Sequence, residues 1–353
     1  MSSNLQWEIE LPNHEQKPVY MLRESGKIIP DEKLHTYVCC NGQVHDILLE
    51  TGEIIATNTL QGKTGEEVSM KHFNDTDGCF LVVGSNGFVF LIDCDSFMNF
   101  IMTVDLGENK TKCKGKPVSV EVVVIGGEIK IIAGCNGCLF KIHIDGSIED
   151  INELSGLGYN RVSLLVNTQN QKPGLFIGSN GFIAKINLND FAEKIKKISL
   201  PSCGYNEVSL ICDNSFIYAG SYGYVYKLDR ESGEFLKKNS LDGMGFNSVE
   251  IDTYTYDKSL DLVIGTNGYL LIIDVNEFDK IKEKVYLNDT SKLVSVSASF
   301  LAPLEKSIFA GTAGNGYLFS PNQDYIFNLR YTVEIDKDAS SITNVFAGAG
   351  VPN

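Results

Sequence analysis

Gly178-Ser179-Asn180-Gly181 lies between two apolar runs, and close copies of it recur along the whole chain. The other copies are Cys40-Asn41-Gly42, Gly84-Ser85-Asn86-Gly87, Gly134-Cys135-Asn136-Gly137, Gly220-Ser221-Tyr222-Gly223, Gly265-Thr266-Asn267-Gly268 and Gly311-Thr312-Ala313-Gly314-Asn315-Gly316. The last glycines of these seven copies are 42 to 50 residues apart, a period that suits a four-stranded propeller blade. We therefore predict an all-β fold, a seven-bladed β-propeller of four-stranded antiparallel blades.

Each signature is predicted to be a tight turn between two strands. Asn-Gly favours a type I′ turn because both central residues need positive φ, which Gly adopts without strain and Asn tolerates. The flanking runs, such as 80–83 and 88–92, are apolar almost continuously, which is typical of sheets covered on both faces. For the fourth blade we predict strands at about 160–167, 174–179, 181–188 and 193–200.

Two further features repeat, and both termini offer spare strands. A loop phrase precedes the first strand of three repeats, at 158–163, 204–209 and 245–250. Polar pairs follow the third strand and are predicted to be side-chain-capped turns: Asp93/Asp95, Asn187/Asn189 and Asp274/Asn276. Residues 5–11, 18–23 and 341–346 are strand candidates, and we expect strands from the chain termini to close the ring because a propeller avoids an open sheet edge.

Composition favours one cytoplasmic domain spanning 1–353. The chain is 43% hydrophobic and has nine cysteines, an odd number, which does not suit a disulfide framework. No basic-then-apolar leader and no apolar run of about 20 residues is present, so we expect neither secretion nor membrane insertion. The net charge of −15 opposes binding to nucleic acid. The basic run 110–116 is interpreted as a solvated surface. The oligomeric state stays open.

The sequence Gly220-Ser221-Tyr222-Gly223-Tyr224-Val225-Tyr226-Lys227-Leu228-Asp229-Arg230-Glu231-Ser232-Gly233-Glu234 resembles the repeat of the quinoprotein-alcohol-dehydrogenase-like propeller superfamily, and Glu50-Thr51-Gly52-Glu53 is a second match. The resemblance implies the fold of that superfamily and no particular activity. Trp7 is the one tryptophan, so the Trp-rich packing of the quinone enzymes cannot form. We therefore expect no quinone and no other cofactor.

Motifs for metal binding or catalysis are weak. Cys135-Asn136-Gly137-Cys138 has zinc-knuckle and redox spacing, but no second such pair exists and sister repeats place Ser or Phe in the same slots. The Asp/Asn loops lack the glycine and distal glutamate of a calcium loop. The five histidines show no ligand spacing. We therefore predict neither a metal site nor catalytic residues.

The candidate ligand site is an aromatic-Asn pair repeated in three successive blades. The residues are Tyr159, Asn160, Tyr205, Asn206, Phe246 and Asn247, together with Asn180, Tyr222 and Asn267 from the neighbouring turns. An aromatic face beside an amide can bind a sugar or a peptide, or the Asn can simply fasten two loops. The first hypothesis is a non-catalytic binding platform for a protein or peptide. The alternatives are a multivalent lectin that binds a glycan and an enzyme, of lyase or isomerase type, with its site at the tunnel mouth.

Overall fold

The computed structural model describes residues 19–21, 35–40, 42–48, 54–62, 68–75, 78–154, 161–167, 174–191, 196–241, 248–256, 259–287, 295–302, 305–311, 315–321 and 327–334. These ranges contain 28 strands, one α-helical turn and two 3-10 turns. The first twelve strands are β1 Val19–Met21, β2 His35–Cys40, β3 Gln43–Leu48, β4 Ile54–Asn58, β5 Val68–Asp75, β6 Gly78–Ser85, β7 Phe88–Asp93, β8 Phe100–Asp105, β9 Val118–Ile125, β10 Glu128–Cys135, β11 Cys138–His143 and β12 Ile148–Glu153.

The remaining strands are β13 Ser163–Asn167, β14 Gly174–Ser179, β15 Phe182–Asn187, β16 Lys196–Ser199, β17 Ser209–Cys212, β18 Phe216–Ser221, β19 Tyr224–Asp229, β20 Phe235–Ser240, β21 Glu250–Tyr256, β22 Ser259–Thr266, β23 Tyr269–Asp274, β24 Ile281–Tyr286, β25 Ser295–Ala302, β26 Glu305–Gly311, β27 Asn315–Pro321 and β28 Phe327–Glu334. The helix α1 is Leu106–Asn109, and the 3-10 turns are Leu60–Gly62 and Thr111–Cys113. No helix in these ranges has the length to cross a bilayer.

Consecutive strands pair antiparallel in groups of four. Five groups are separate four-stranded sheets, and β5–β8 joins β9–β12 in one eight-stranded sheet through a single parallel pair, Val68 with Val118. Each turn signature falls between the second and third strands of its group, so the predicted four-stranded antiparallel sheets are confirmed. Residues 5–11 and 341–346 lie outside the described ranges, and ring closure by terminal strands stays a prediction.

The fourth group tests the predicted strand limits. Its strands are 163–167, 174–179, 182–187 and 196–199, within three residues of every predicted end. The turn residues Asn180 and Gly181 have φ of 53° and 76°, which confirms the predicted left-handed conformation at both central positions. Four other signatures show the same pair of positive φ angles: Asn86 with Gly87, Asn136 with Gly137, Tyr222 with Gly223 and Asn267 with Gly268.

The chain forms two compact units, residues 68–242 and residues 1–67 with 243–353. In the first of these, neighbouring residues of one strand pack into different cores. Ile131 lies in a cluster shared with β6 and β7, whereas Ile132 lies in a cluster shared with β14 and β15. Both side chains are fully buried, which explains why the strands are apolar without alternation. In the other unit, β21–β24 pack on β25 and β26 through a core that includes Val263 and Ile308.

The first glycine of the signature allows the next sheet to approach closely. A Cβ on Gly84 would lie 2.5 Å from the Val118 carbonyl oxygen, and one on Gly178 would lie 2.7 Å from the Val208 carbonyl oxygen. Each valine begins or immediately precedes the first strand of the following group. Real Cβ atoms essentially never come this close to another heavy atom, so this strand position needs glycine for packing against the next group.

Candidate functional site

The loop between β16 and β17 clamps the preceding turn. The Gly181 N–H donates to the Asn206 carbonyl at 2.8 Å, and the Gly181 carbonyl accepts from the Leu200 N–H at 3.0 Å. A Cβ added to Gly181 would overlap the Gly204 carbonyl oxygen. The turn and the loop of the next group are therefore in direct backbone contact, which leaves no room for a side chain at Gly181.

The same loop is also tied to the following turn. The Cys203 thiol donates to Ser221 Oγ at 2.6 Å, and Ser221 Oγ donates to the Glu207 carbonyl at 2.5 Å. Inside the loop, Asn206 Nδ2 donates to the Cys203 carbonyl at 2.6 Å. Burial raises the pKa of the Cys203 thiol, so this cysteine acts here as a small buried donor and not as a reactive thiolate. The loop is held between two turns.

The predicted site residues fall into three groups in the structure: one that is exposed, four that are buried or half-buried, and four that lie outside the described ranges. Tyr205 is 78% exposed, whereas Asn180 is 8% exposed. Asn206 is half-buried and uses its amide nitrogen within the loop, and Tyr222 packs against the core cluster beside it. Asn267 is half-buried in the other unit. Four predicted residues lie outside the described ranges: Tyr159, Asn160, Phe246 and Asn247. Tyr205 therefore has the side chain best placed to meet a partner.

A second loop, residues 106–117 between β8 and β9, clamps its turn in the same way. The Gly87 N–H donates to the Lys116 carbonyl at 2.7 Å, and the Gly87 carbonyl accepts from the Leu106 N–H at 2.9 Å. Asp105 caps α1 by accepting from the Gly107 N–H at 2.7 Å. The chain takes a longer, partly helical path here, yet it makes the same two backbone bonds.

This second loop carries the basic run of the sequence. Lys114 and Lys116 are exposed. Lys110 pairs with Glu153 at 2.5 Å, and the hydrogen bond to Glu153 raises the pKa of Lys110. Two cations therefore point to solvent on a loop of fixed backbone, in a chain whose net charge is −15.

Sequence reasoning missed a leucine that completes the clamp. In five described groups a leucine N–H after the fourth strand donates to the carbonyl of the turn glycine at 2.9 to 3.1 Å. The leucines are Leu106, Leu154, Leu200, Leu241 and Leu287, and all are buried. Each follows its turn glycine by 17 to 19 residues, so this spacing was the signal that could have identified them.

The candidate metal and redox motifs of the sequence have structural explanations. Cys135 and Cys138 face each other across the turn, and hydrogen bonding to Cys135 raises the pKa of the nearby Cys113 thiol to about 12. Such a thiol is a poor nucleophile near neutral pH. The polar pairs after the third strands are Asx turns, as predicted: Asp93, Asn187 and Asp274 each accept from the N–H two residues on, at 2.8 to 3.0 Å.

Successive antiparallel four-stranded sheets that share apolar cores with their neighbours are typical of a β-propeller. A crystal structure of BBS1N in complex with ARL6DN, soaked with mercury, has this fold. It matches 96% of this chain and 96% of its own, with a TM-score of 0.58 and 8% identity. This likeness confirms the β-propeller fold and shows nothing about the function of this chain. Because 843 solved chains match, the fold alone does not select a function. No family model and no curated protein matches the chain.

Proposed function

We propose that this chain is a non-catalytic β-propeller that binds a protein or peptide through the loops at the turn end of its sheets. Tyr205 carries the proposal, because it is 78% exposed on a loop clamped by Gly181 on one side and Ser221 on the other. An aromatic side chain on a prearranged backbone loses little conformational entropy on binding. Tyrosine is also among the residues enriched at the energetic centres of interfaces.

Charge supports a partner with an acidic segment. Lys114 and Lys116 are exposed on the other clamped loop, in a chain that is otherwise strongly acidic. A local basic surface on an acidic protein selects partners by charge complementarity and excludes uniformly acidic ones. Nucleic acid stays disfavoured because the overall net charge repels a phosphate backbone.

The kind of partner, the number of blades, the superfamily and the cellular location are part of the same proposal. The structural neighbour is a propeller in complex with a protein, ARL6DN, which supports a protein partner in this case also. Seven turn signatures support one seven-bladed ring over 1–353, closed by terminal strands, as a divergent relative of the quinoprotein-alcohol-dehydrogenase-like propellers. Eight of the nine cysteines are free thiols in the part of the chain whose side chains are described, which supports a cytoplasmic location.

The test compares wild type with Tyr205→Ala. Proteins captured from the native extract would be quantified, and the most strongly enriched partner would be purified and titrated against both chains. We expect Tyr205→Ala to weaken binding at least about ten-fold, in the range of an interface hot spot, with an unchanged melting temperature because the side chain is exposed. Phe235→Ala is the matched control, since Phe235 is 40% exposed at the opposite end of its sheet, and it should change the affinity by less than about two-fold.

Two results would count against the proposal. One is the absence of any stoichiometric partner, and the other is equal loss of binding in Tyr205→Ala and Phe235→Ala. A glycan array run with the same chains tests the carbohydrate alternative. Hits that disappear in Tyr205→Ala would replace the protein partner by a sugar, which stacks on the same aromatic face.

A further inference from the structure

Two cysteines and a histidine meet at the end of the second sheet group that lies away from the turn. His72 is on β5, Cys79 is on β6 and Cys94 directly follows β7. His72 Nε2 is 2.8 Å from Cys79 Sγ, and the three ligand atoms all lie within 4.8 Å of one another. Cys79 and Cys94 are 2% and 7% exposed, while His72 is half-buried. Within the described ranges this is the one group of three such ligands.

The antiparallel register places these three side chains on one face of the sheet. Cys79 is opposite Asn74, and His72 is two residues from Asn74, so the imidazole points to the same face as the thiol. Asp93 is opposite Phe80, and the Cys94 N–H donates to the Cys79 carbonyl at 3.0 Å. The ladder therefore continues to Cys94 and brings the second thiol to the same face.

The repeat itself does not require these residues. In the other described groups the equivalent positions hold mostly residues that do not bind metals. The position of His72 is taken by Val122, Val166, Cys212 and Thr253; that of Cys79 by Ile129, Ser215 and Leu260; and that of Cys94 by Ile144, Leu188, Arg230 and Val275. A full set of ligands occurs in the second group alone among the groups compared.

We propose that His72, Cys79 and Cys94 bind one zinc ion. An imidazole and two thiolates are ligands that Zn²⁺ prefers. Bonds of about 2.3 Å to sulfur and about 2.0 Å to nitrogen in a tetrahedral site place the ligand atoms roughly 3.5–3.8 Å apart. For zinc to bind, the 2.8 Å distance between His72 Nε2 and Cys79 Sγ would have to lengthen to about 3.5 Å, and all three atoms already lie within 4.8 Å of one another.

Binding changes the protonation of the site. Each thiol gives up its proton to solvent when its sulfur bonds to Zn²⁺, so two protons are released for each ion bound. The half-buried His72 leaves the fourth position to a water molecule, as in sites with three protein ligands. The ion would link β5, β6 and the segment after β7, and so stabilise the end of the group opposite its clamped turn.

The experiment uses the full chain, reduced and stripped of metal with a chelator. Co²⁺ is titrated as a spectroscopic probe, because thiolate coordination produces intense charge-transfer absorption and a tetrahedral site produces visible bands, and Zn²⁺ is then added to displace it. The variants are His72→Gln and Cys94→Ser. The matched controls are Cys212→Ser, which removes a cysteine at the register position of His72 on β17, and Cys135→Ser, which removes a buried thiol where sister repeats carry serine.

We expect one Co²⁺ per wild-type chain, displaced by one Zn²⁺, and at least about ten-fold weaker binding in both variants, with both controls unchanged. Zinc should raise the melting temperature of wild type and of the controls but not of His72→Gln. This second measurement keeps the test decisive if Cys94→Ser fails to fold. Absence of micromolar binding, unchanged binding in His72→Gln, or loss of binding in Cys135→Ser would each overturn the proposal.

Discussion

The two ends of each sheet are built in different ways. At the turn end, the contacts that recur are made by backbone groups: the turn glycine carbonyl accepts from a leucine N–H at 2.9 to 3.1 Å in five described groups, and the glycine N–H donates to the next loop at 2.7 and 2.8 Å in two of them. At the opposite end, side chains make the contacts, and the set differs between groups. The sets include His72 with Cys79 and Cys94, and Lys130 with Glu128 and Glu149. In a third set, Tyr218 donates to the Asp213 carboxylate and the Arg230 side chain donates to the Asp213 carbonyl. The repeat pattern therefore specifies the contacts at the turn end. The contacts that differ from group to group lie at the opposite end.

This contrast explains how the repeat keeps a regular backbone while its loops carry different side chains. A backbone clamp tolerates any side chain that points outwards, which is why one clamped loop carries Tyr205 and another carries Lys114 and Lys116. Side-chain clusters have no such tolerance, because replacing one member leaves its partners without their contacts. The outward-facing side chains of a clamped loop can therefore vary without breaking the clamp, whereas a change in a side-chain cluster removes one of its contacts.

The largest expected effect on stability is that of Gly181→Ala, which disrupts the backbone contacts of the clamp directly. The added methyl would overlap the Gly204 carbonyl and alanine would be held at a φ of 76°. Overpacking and left-handed strain together should lower the free energy of unfolding by roughly 2–5 kcal/mol. Urea denaturation followed by circular dichroism measures the change.

Gly126→Ala is the matched control, because it separates strain from overlap. Gly126 has a φ of 62°, but a Cβ there would meet nothing within 4 Å. Gly126→Ala should lower the free energy of unfolding by about 1–2 kcal/mol, because alanine there meets only the strain of the left-handed conformation. Equal destabilisation by the two substitutions would show that the clamp adds nothing to the turn.

A smaller effect is expected for Ser163→Ala, which removes a side-chain bond between neighbouring groups at the turn end. Ser163 Oγ donates to the Val208 carbonyl at 2.5 Å. Its loss should lower the free energy of unfolding by about 1 kcal/mol, again by urea denaturation. Ser199→Ala, at an exposed position of β16, should change stability by less than about 0.5 kcal/mol. If Ser163→Ala and Ser199→Ala lowered the free energy of unfolding equally, the bond from Ser163 to Val208 would not be the cause.

The sequence predicted the parts of the fold that are encoded locally. Asn180-Gly181 specifies its turn through the φ preferences of adjacent residues, and the apolar runs specify strands through burial on both faces. The clamp was not predicted, because it joins Gly181 to Asn206 through backbone groups that any sequence carries. The cluster of His72, Cys79 and Cys94 was not predicted either, since it depends on strand register and not on spacing along the chain. For Asn206, the amide nitrogen bonds to the Cys203 carbonyl within its own loop, so neither the predicted bond between two loops nor ligand binding is decided by this contact.

The smallest effect, at the opposite end, should depend on pH. Glu149 bonds to Lys141 at 2.7 Å and to Lys130 at 3.0 Å, and the hydrogen bond from Lys141 lowers the pKa of Glu149. A depressed carboxyl pKa stabilises the fold fully above the unfolded value of about 4.3, and that contribution is lost as pH falls through the lower pKa of the folded state. Glu149→Gln should therefore cost less than about 1 kcal/mol at pH 7, because the carboxylate is partly exposed, and the difference in melting temperature from wild type should shrink steadily as pH falls below about 4. A difference that stayed constant as the pH fell would show that the side chain stabilises this end by packing and not by its charge.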